Sequence, residues 1–75
     1  MINELDPAVL TRDVPEHGLV RGDVGTVVYR SPDGLSFEVE FVTAGGRTVT
    51  VLTLNSADIR SLTPDEILHA RKLGV

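Results

Sequence analysis

Seventy-five residues make a single domain, and a chain of this size buries only about 60% of the surface its unfolded form exposes. There is no cysteine, so disulfides and thiolate zinc sites are excluded, and His17 and His69, 52 positions apart, lack the short spacing of a metal pair. The net charge is −4, with one lysine, Lys72, and arginines scattered singly from Arg12 to Arg71, so no basic stripe exists of the kind that nucleic-acid affinity draws on.

The N-terminal stretch MINELDPAVL carries Glu4 and Asp6 and lacks the basic and apolar regions of a signal peptide. No apolar run reaches the length of a membrane span. These features predict a soluble, cytoplasmic protein. Residues 8–12, AVLTR, read as a first short strand, and DVPEHGLVRG, with Pro15, Gly18 and Gly22, reads as a loop. VGTVVYR follows as a second strand with the branched and aromatic character of a half-buried sheet. Ser31–Gly34, SPDG, is a turn signature.

The third strand, SFEVEFV, is the clearest element. Phe37, Val39 and Phe41 alternate with Ser36, Glu38 and Glu40, which places the aromatics on a core face and both carboxylates in water. TAGGR supplies a hairpin. RTVTVLTL is a fourth strand with apolar residues on both faces, NSAD one turn of tight helix, and DIRSL a fifth strand. In TPDEILHARKLG the grammar changes. Thr63 is an N-cap with Pro64 at the first position and Glu66 completing a capping box. Ile67, Ala70 and Leu73 form one apolar stripe widened by Leu68, and Gly74 stops the helix. The expected architecture is mainly β: a small five-stranded SH3-like half-open barrel over residues 1–62, with a short C-terminal α-helix over 63–75. Alternation alone does not fix the strand order.

Gly18, Gly22 and Gly25 precede a strand, whereas a phosphate-binding glycine loop opens a helix, whose N-terminus supplies the anion site. These glycines are therefore read as bends, with Gly25 inside a strand where another backbone approaches. Glu38 and Glu40 lie roughly 7 Å apart along one strand face, which reads as a solvated face or an acidic stripe for a basic partner. His17 is an exposed loop histidine without a nucleophile beside it in sequence. Phe37 and Phe41 are assigned to the core, not to a base-stacking platform.

The segments ELDPAVLTRDVPEHGLVRGDVGTVVY, FEVEFV, GGRTVTVLTL and DIRSL resemble, over residues 4–62, the bacterial domain-of-unknown-function family 4926. The shared patterns are Gly-Asp-x-Gly-Thr-Val-Val and Glu-Val-Glu-Phe. More distantly, HGLVRGDVGTVV is similar to the loop and strand of ribosome-associated KOW modules. The family resemblance carries no catalytic residues and implies a small protein that occurs beside toxin-like partners.

The resulting expectation is a non-enzymatic protein-interaction module without cofactor or metal, antitoxin-like or immunity-like, that binds and masks a basic toxin-like partner. Its candidate contact residues are Asp33, Glu38, Glu40, Ile67, Leu68 and Leu73. A homodimer is expected from the small core and the amphipathic C-terminal segment. The alternative is a nucleic-acid or ribosome-associated barrel, which needs Arg21, Arg30 and Arg47 gathered into one patch.

Overall fold

The computed structural model describes residues 1–73. Its strands are β1 (Pro7–Leu10), β2 (Val24–Arg30), β3 (Ser36–Val42), β4 (Thr48–Asn55) and β5 (Ile59–Ser61). They form one antiparallel sheet in the order β4-β3-β2-β1-β5, with β4 and β5 at its two edges. β1 to β4 pair with their neighbours in the chain, and β5 then returns to β1, setting Leu10 opposite Ile59 and Ala8 opposite Ser61. The sheet is open, with β4 and β5 unpaired to each other.

The alternation of β3 is realised. Phe37, Val39 and Phe41 are buried, and they join Ala8, Leu10, Val14, Leu19, Val27, Leu54 and Ile59 in one apolar cluster. No polar or charged residue is buried among the described residues, so the core needs no internal hydrogen-bond network to satisfy it. In β4 the apolar residues divide as the sequence suggests. Leu52 and Leu54 face Val39 and Phe37 across the ladder, while Val51 points to the outer face and is 48% exposed. Val49 is drawn back against the core beside a register shift at Phe41/Val42.

Local turns follow from the residues that stop each strand. In the β3–β4 hairpin, Gly46 N–H donates to Thr43 O at 2.9 Å and Thr43 N–H to Arg47 O at 2.9 Å. Gly46 stands at φ 88°, a left-handed conformation that costs a glycine little. Pro15–His17 forms a 3-10 turn where the sequence suggested plain loop. NSAD is a hydrogen-bonded turn closed by Asp58 N–H to Asn55 O at 3.0 Å, in place of the expected helical turn.

The expected C-terminal helix is absent: residues 63–73 contain no helix. The expected stop at Gly74 and the end of the 63–75 extension lie outside the described residues. The first step of capping does occur, since Thr63 N–H donates to Glu66 Oε1 at 2.8 Å and Glu66 N–H to Thr63 O at 3.1 Å. The helix does not propagate because tertiary partners claim its residues. Arg60 grips the Glu66 carboxylate through both terminal nitrogens, at 2.8 and 2.7 Å. Arg71 forks onto Asp23, with Nε to Oδ1 at 2.9 Å, and also donates to Gly18 O at 3.0 Å. Leu73 packs against the core cluster. A helix of about ten residues is marginal in water, so these anchors outweigh it. The stripe it would have aligned is split: Leu73 faces inward, whereas Ile67 is 92% exposed.

Candidate functional site

The outer face of β2–β3–β4 is built from the residues left over when the core takes its share. Glu40 sits between Thr26 and Val51, and Glu38 between Tyr29 and Thr53. Both glutamates are half-buried. Each is held by a threonine of β4: Thr53 Oγ1 donates to Glu38 Oε2 at 2.7 Å and Thr48 Oγ1 to Glu40 Oε2 at 3.1 Å. The pairing fixes both carboxylates before any partner arrives, which reduces the side-chain entropy lost on binding.

A bulge enlarges the apolar part of this face. The β2–β3 register shifts between Val27 and Tyr29, so Val28 becomes the extra residue and Tyr29 turns outward, 48% exposed. Tyr29 is thus a surface aromatic, in contrast to the buried Phe37 and Phe41. Val28, Val42 and Val51 are also exposed. The face is therefore mixed, with two ordered carboxylates among one aromatic and three valines. Neither glutamate takes part in an ion pair among the described residues.

The other expected contact residues lie elsewhere. Asp33 is in the β2–β3 turn, where its carboxylate accepts from Ser31 Oγ and, at 3.0 Å, from Leu35 N–H. The Ser31 hydroxyl, and then the Leu35 amide, hold its pKa below the ordinary value, so Asp33 serves its own turn. Ile67 and Leu68 are exposed on the C-terminal segment, at 92% and 69%. Leu73 is half-buried, with one side packed against the core cluster. The structure brings Glu38 and Glu40 together and adds Tyr29, Val28, Val42 and Val51. The bulge that exposes Tyr29 has no signal in a uniform VVYR run.

Cations are divided among separate places. Arg12, Arg60 and Arg71 are paired with Asp58, Glu66 and Asp23. The Asp58 carboxyl is held below its ordinary pKa by its hydrogen bond from Arg12, and that of Glu66 is drawn down to about 2 by Arg60 and the Thr63 amide. Burial pushes Asp23 upward, but the hydrogen bonds from Arg71 and from Val20 N–H prevail, leaving it lowered. Arg30 and Arg47 stand at opposite ends of β3, opposite Phe37 and next to the pair Val42–Thr48 respectively. By strand rise that is roughly 17 Å, so they form no common patch. Arg47 instead lines, with Lys72, Phe41, Val49 and Leu73, a groove of about 590 Å³ between the β3–β4 hairpin and the C-terminal segment. That groove was invisible in a sequence whose last residues read as helix.

No cluster of His, Asp or Glu suited to a metal ion occurs among the described residues. Among the described residues no helix is long and apolar enough to cross a membrane. No curated protein and no solved structure matches the chain. The family model described as domain of unknown function (DUF4926) matches residues 4–61, from the segment before β1 through the end of β5, and the chain therefore belongs to that family.

Proposed function

We propose that this protein is a non-enzymatic interaction module that binds and masks a basic protein partner in the cytoplasm, in the manner of an antitoxin or immunity protein. The observation that carries the reading is the outer face of β2–β3–β4. Glu38 and Glu40 are fixed by Thr53 and Thr48 and make no ion pair among the described residues, beside exposed Tyr29, Val28, Val42 and Val51. Ordered carboxylates steer an encounter with a basic surface, and the adjoining apolar side chains supply burial once contact is made. The chain's net charge of −4 acts in the same direction.

The fold supports a finer reading as an SH3-like half-open barrel. Four successive strands pair in chain order, and a short fifth strand returns to the first, a connectivity that suits a small curled sheet. The nucleic-acid alternative asked for Arg21, Arg30 and Arg47 in one patch, and the separation of Arg30 from Arg47 along β3 gives it no support.

The test begins with capture of the tagged protein from its own cells, followed by association kinetics with the recovered partner. The double charge reversal Glu38→Lys/Glu40→Lys is expected to slow association about tenfold or more at low salt and to flatten its salt dependence. Unchanged kinetics in that variant, or recovery of RNA with no stoichiometric protein, overturns the reading.

A further inference from the structure

β4 is an edge strand of eight residues, Thr48–Asn55, without a single charged residue or proline. Edge strands of this length ordinarily carry a charge, a proline or a cover that prevents pairing with another chain. The hydrogen-bonding phase of the sheet identifies which backbone groups are open. Ser31 N–H donates to Ser36 O, so Ser36, Glu38 and Glu40 turn their backbone groups toward β2, and Phe37, Val39 and Phe41 turn theirs toward β4. Bonds from Thr43 N–H to Arg47 O and from Ser56 N–H to Leu35 O continue this phase at both ends of β3. The β4 residues opposite Phe37 and Val39 are Leu54 and Leu52. The alternate residues, Val51 and Thr53, therefore direct N–H and C=O away from the sheet. At the flanks, Asn55 N–H is already taken by Asp58 Oδ2 at 3.2 Å, and Val49 lies at the register shift.

We infer that β4 pairs antiparallel with β4 of a second copy of this chain, about a two-fold axis at Leu52. This register sets Val51 of each copy opposite Thr53 of the other, and it uses all of the open backbone groups at those two positions in four hydrogen bonds. A two-fold axis at Val51 would instead pair Thr53 with the irregular position 49. The side chains agree with the axis at Leu52. On the outer face, Val51 meets Thr53, a favourable branched pair. On the inner face, half-buried Leu52 meets its own copy. Glu38 and Glu40 lie one strand further in, so the β3 backbones of the two copies are three strand spacings apart, about 14 Å, and each carboxylate is capped by a threonine of its own β4. With a screening length of about 8 Å in physiological salt, much of the repulsion between the two acidic chains is screened at this edge. The result is a continuous ten-stranded sheet, with a surface distinct from the amphipathic C-terminal segment that the sequence suggested for dimerisation.

One strand pair buries less than the roughly 1,200 Å² of a stable complex, so a dissociation constant between about 10 µM and 1 mM is expected. Sedimentation of the pure protein across that range, with no partner present, reads the dimer separately from the partner-binding proposal. The expected result is a concentration-dependent dimer, with amide shifts on dilution centred on Val51 and Thr53. Val51→Lys places a charge at the edge on a half-exposed side chain, and Val51→Pro removes an edge-directed N–H and leaves the bonds to β3 intact. Each variant, checked for folding by its thermal transition, is expected to weaken dimerisation at least tenfold. A wild-type protein that stays monomeric at 1 mM overturns the inference. So does a dimer that survives in whichever variant folds, or one whose shifts centre on residues 67–73.

Discussion

Gly25 illustrates how closely β2 and β3 approach. A Cβ built there would stand 2.7 Å from Val39 Cγ1, 2.8 Å from Glu40 O and 2.9 Å from Phe41 Cε1. Two of these neighbours belong to core residues and the third is backbone, so none can yield cheaply. Gly25→Ala is expected to destabilise the fold by about 2 kcal/mol through overpacking, read from urea unfolding; a loss within experimental error would show that β3 can retreat. The need for glycine at this position was legible, because a glycine inside a strand pattern signals close approach. The inward set Phe37, Val39 and Phe41 was legible for a similar reason, since a strand's two faces alternate strictly. Tyr29 was not, because one extra residue at Val28 reverses the alternation and leaves no local mark.

At the scale of elements, the C-terminal segment separates local preference from tertiary competition. It holds a good cap, proline at the first position and apolar residues at helical spacing, yet it is pinned by Arg60–Glu66 at one end and by Arg71–Asp23 and Leu73 at the other. This arrangement has a pH signature. The folded pKa of Glu66 is about 2 against an ordinary 4.5. Its contribution to docking is therefore complete above about pH 4.5 and is lost as pH falls toward 2. NMR titration of the Glu66 carboxyl is expected to show a midpoint near 2, and Glu66→Gln to remove that titration from the signals of Arg60 and Thr63. A midpoint near 4.5 would mean that the ion pair does not hold in solution. β1 to β4 were legible to within a residue or two because each pairs with a neighbour close in the chain, and β5 by its own apolar and turn pattern, although its partner β1 is distant. The segment after β5 was not, because its partners Asp23 and Gly18 lie some fifty positions away.

For the whole molecule, size sets the stability margin. A domain of 75 residues is expected to be stable by only about 4 to 11 kcal/mol. Leu10 is almost fully buried in the centre of the apolar cluster. Leu10→Ala is expected to cost about 3 kcal/mol and to leave a measurable unfolded fraction at 37 °C, detectable by circular dichroism. An unchanged midpoint in denaturant would contradict the placement of Leu10 at the centre of the core.

The sequence by itself determined the strand segments, the inward set of β3, the carboxylate pair Glu38–Glu40 and the family. Each is written in local alternation or in contiguous motifs, where neighbouring residues decide the outcome. Only the tertiary structure decided the return of β5 to β1, the outward turn of Tyr29, the capture of the C-terminal segment by the distant Asp23 carboxylate and Gly18 carbonyl, and the uncovered edge of β4. These depend on contacts between residues far apart in the chain, where a few specific hydrogen bonds and one packed leucine outweigh a helix preference worth only tenths of a kcal/mol per residue.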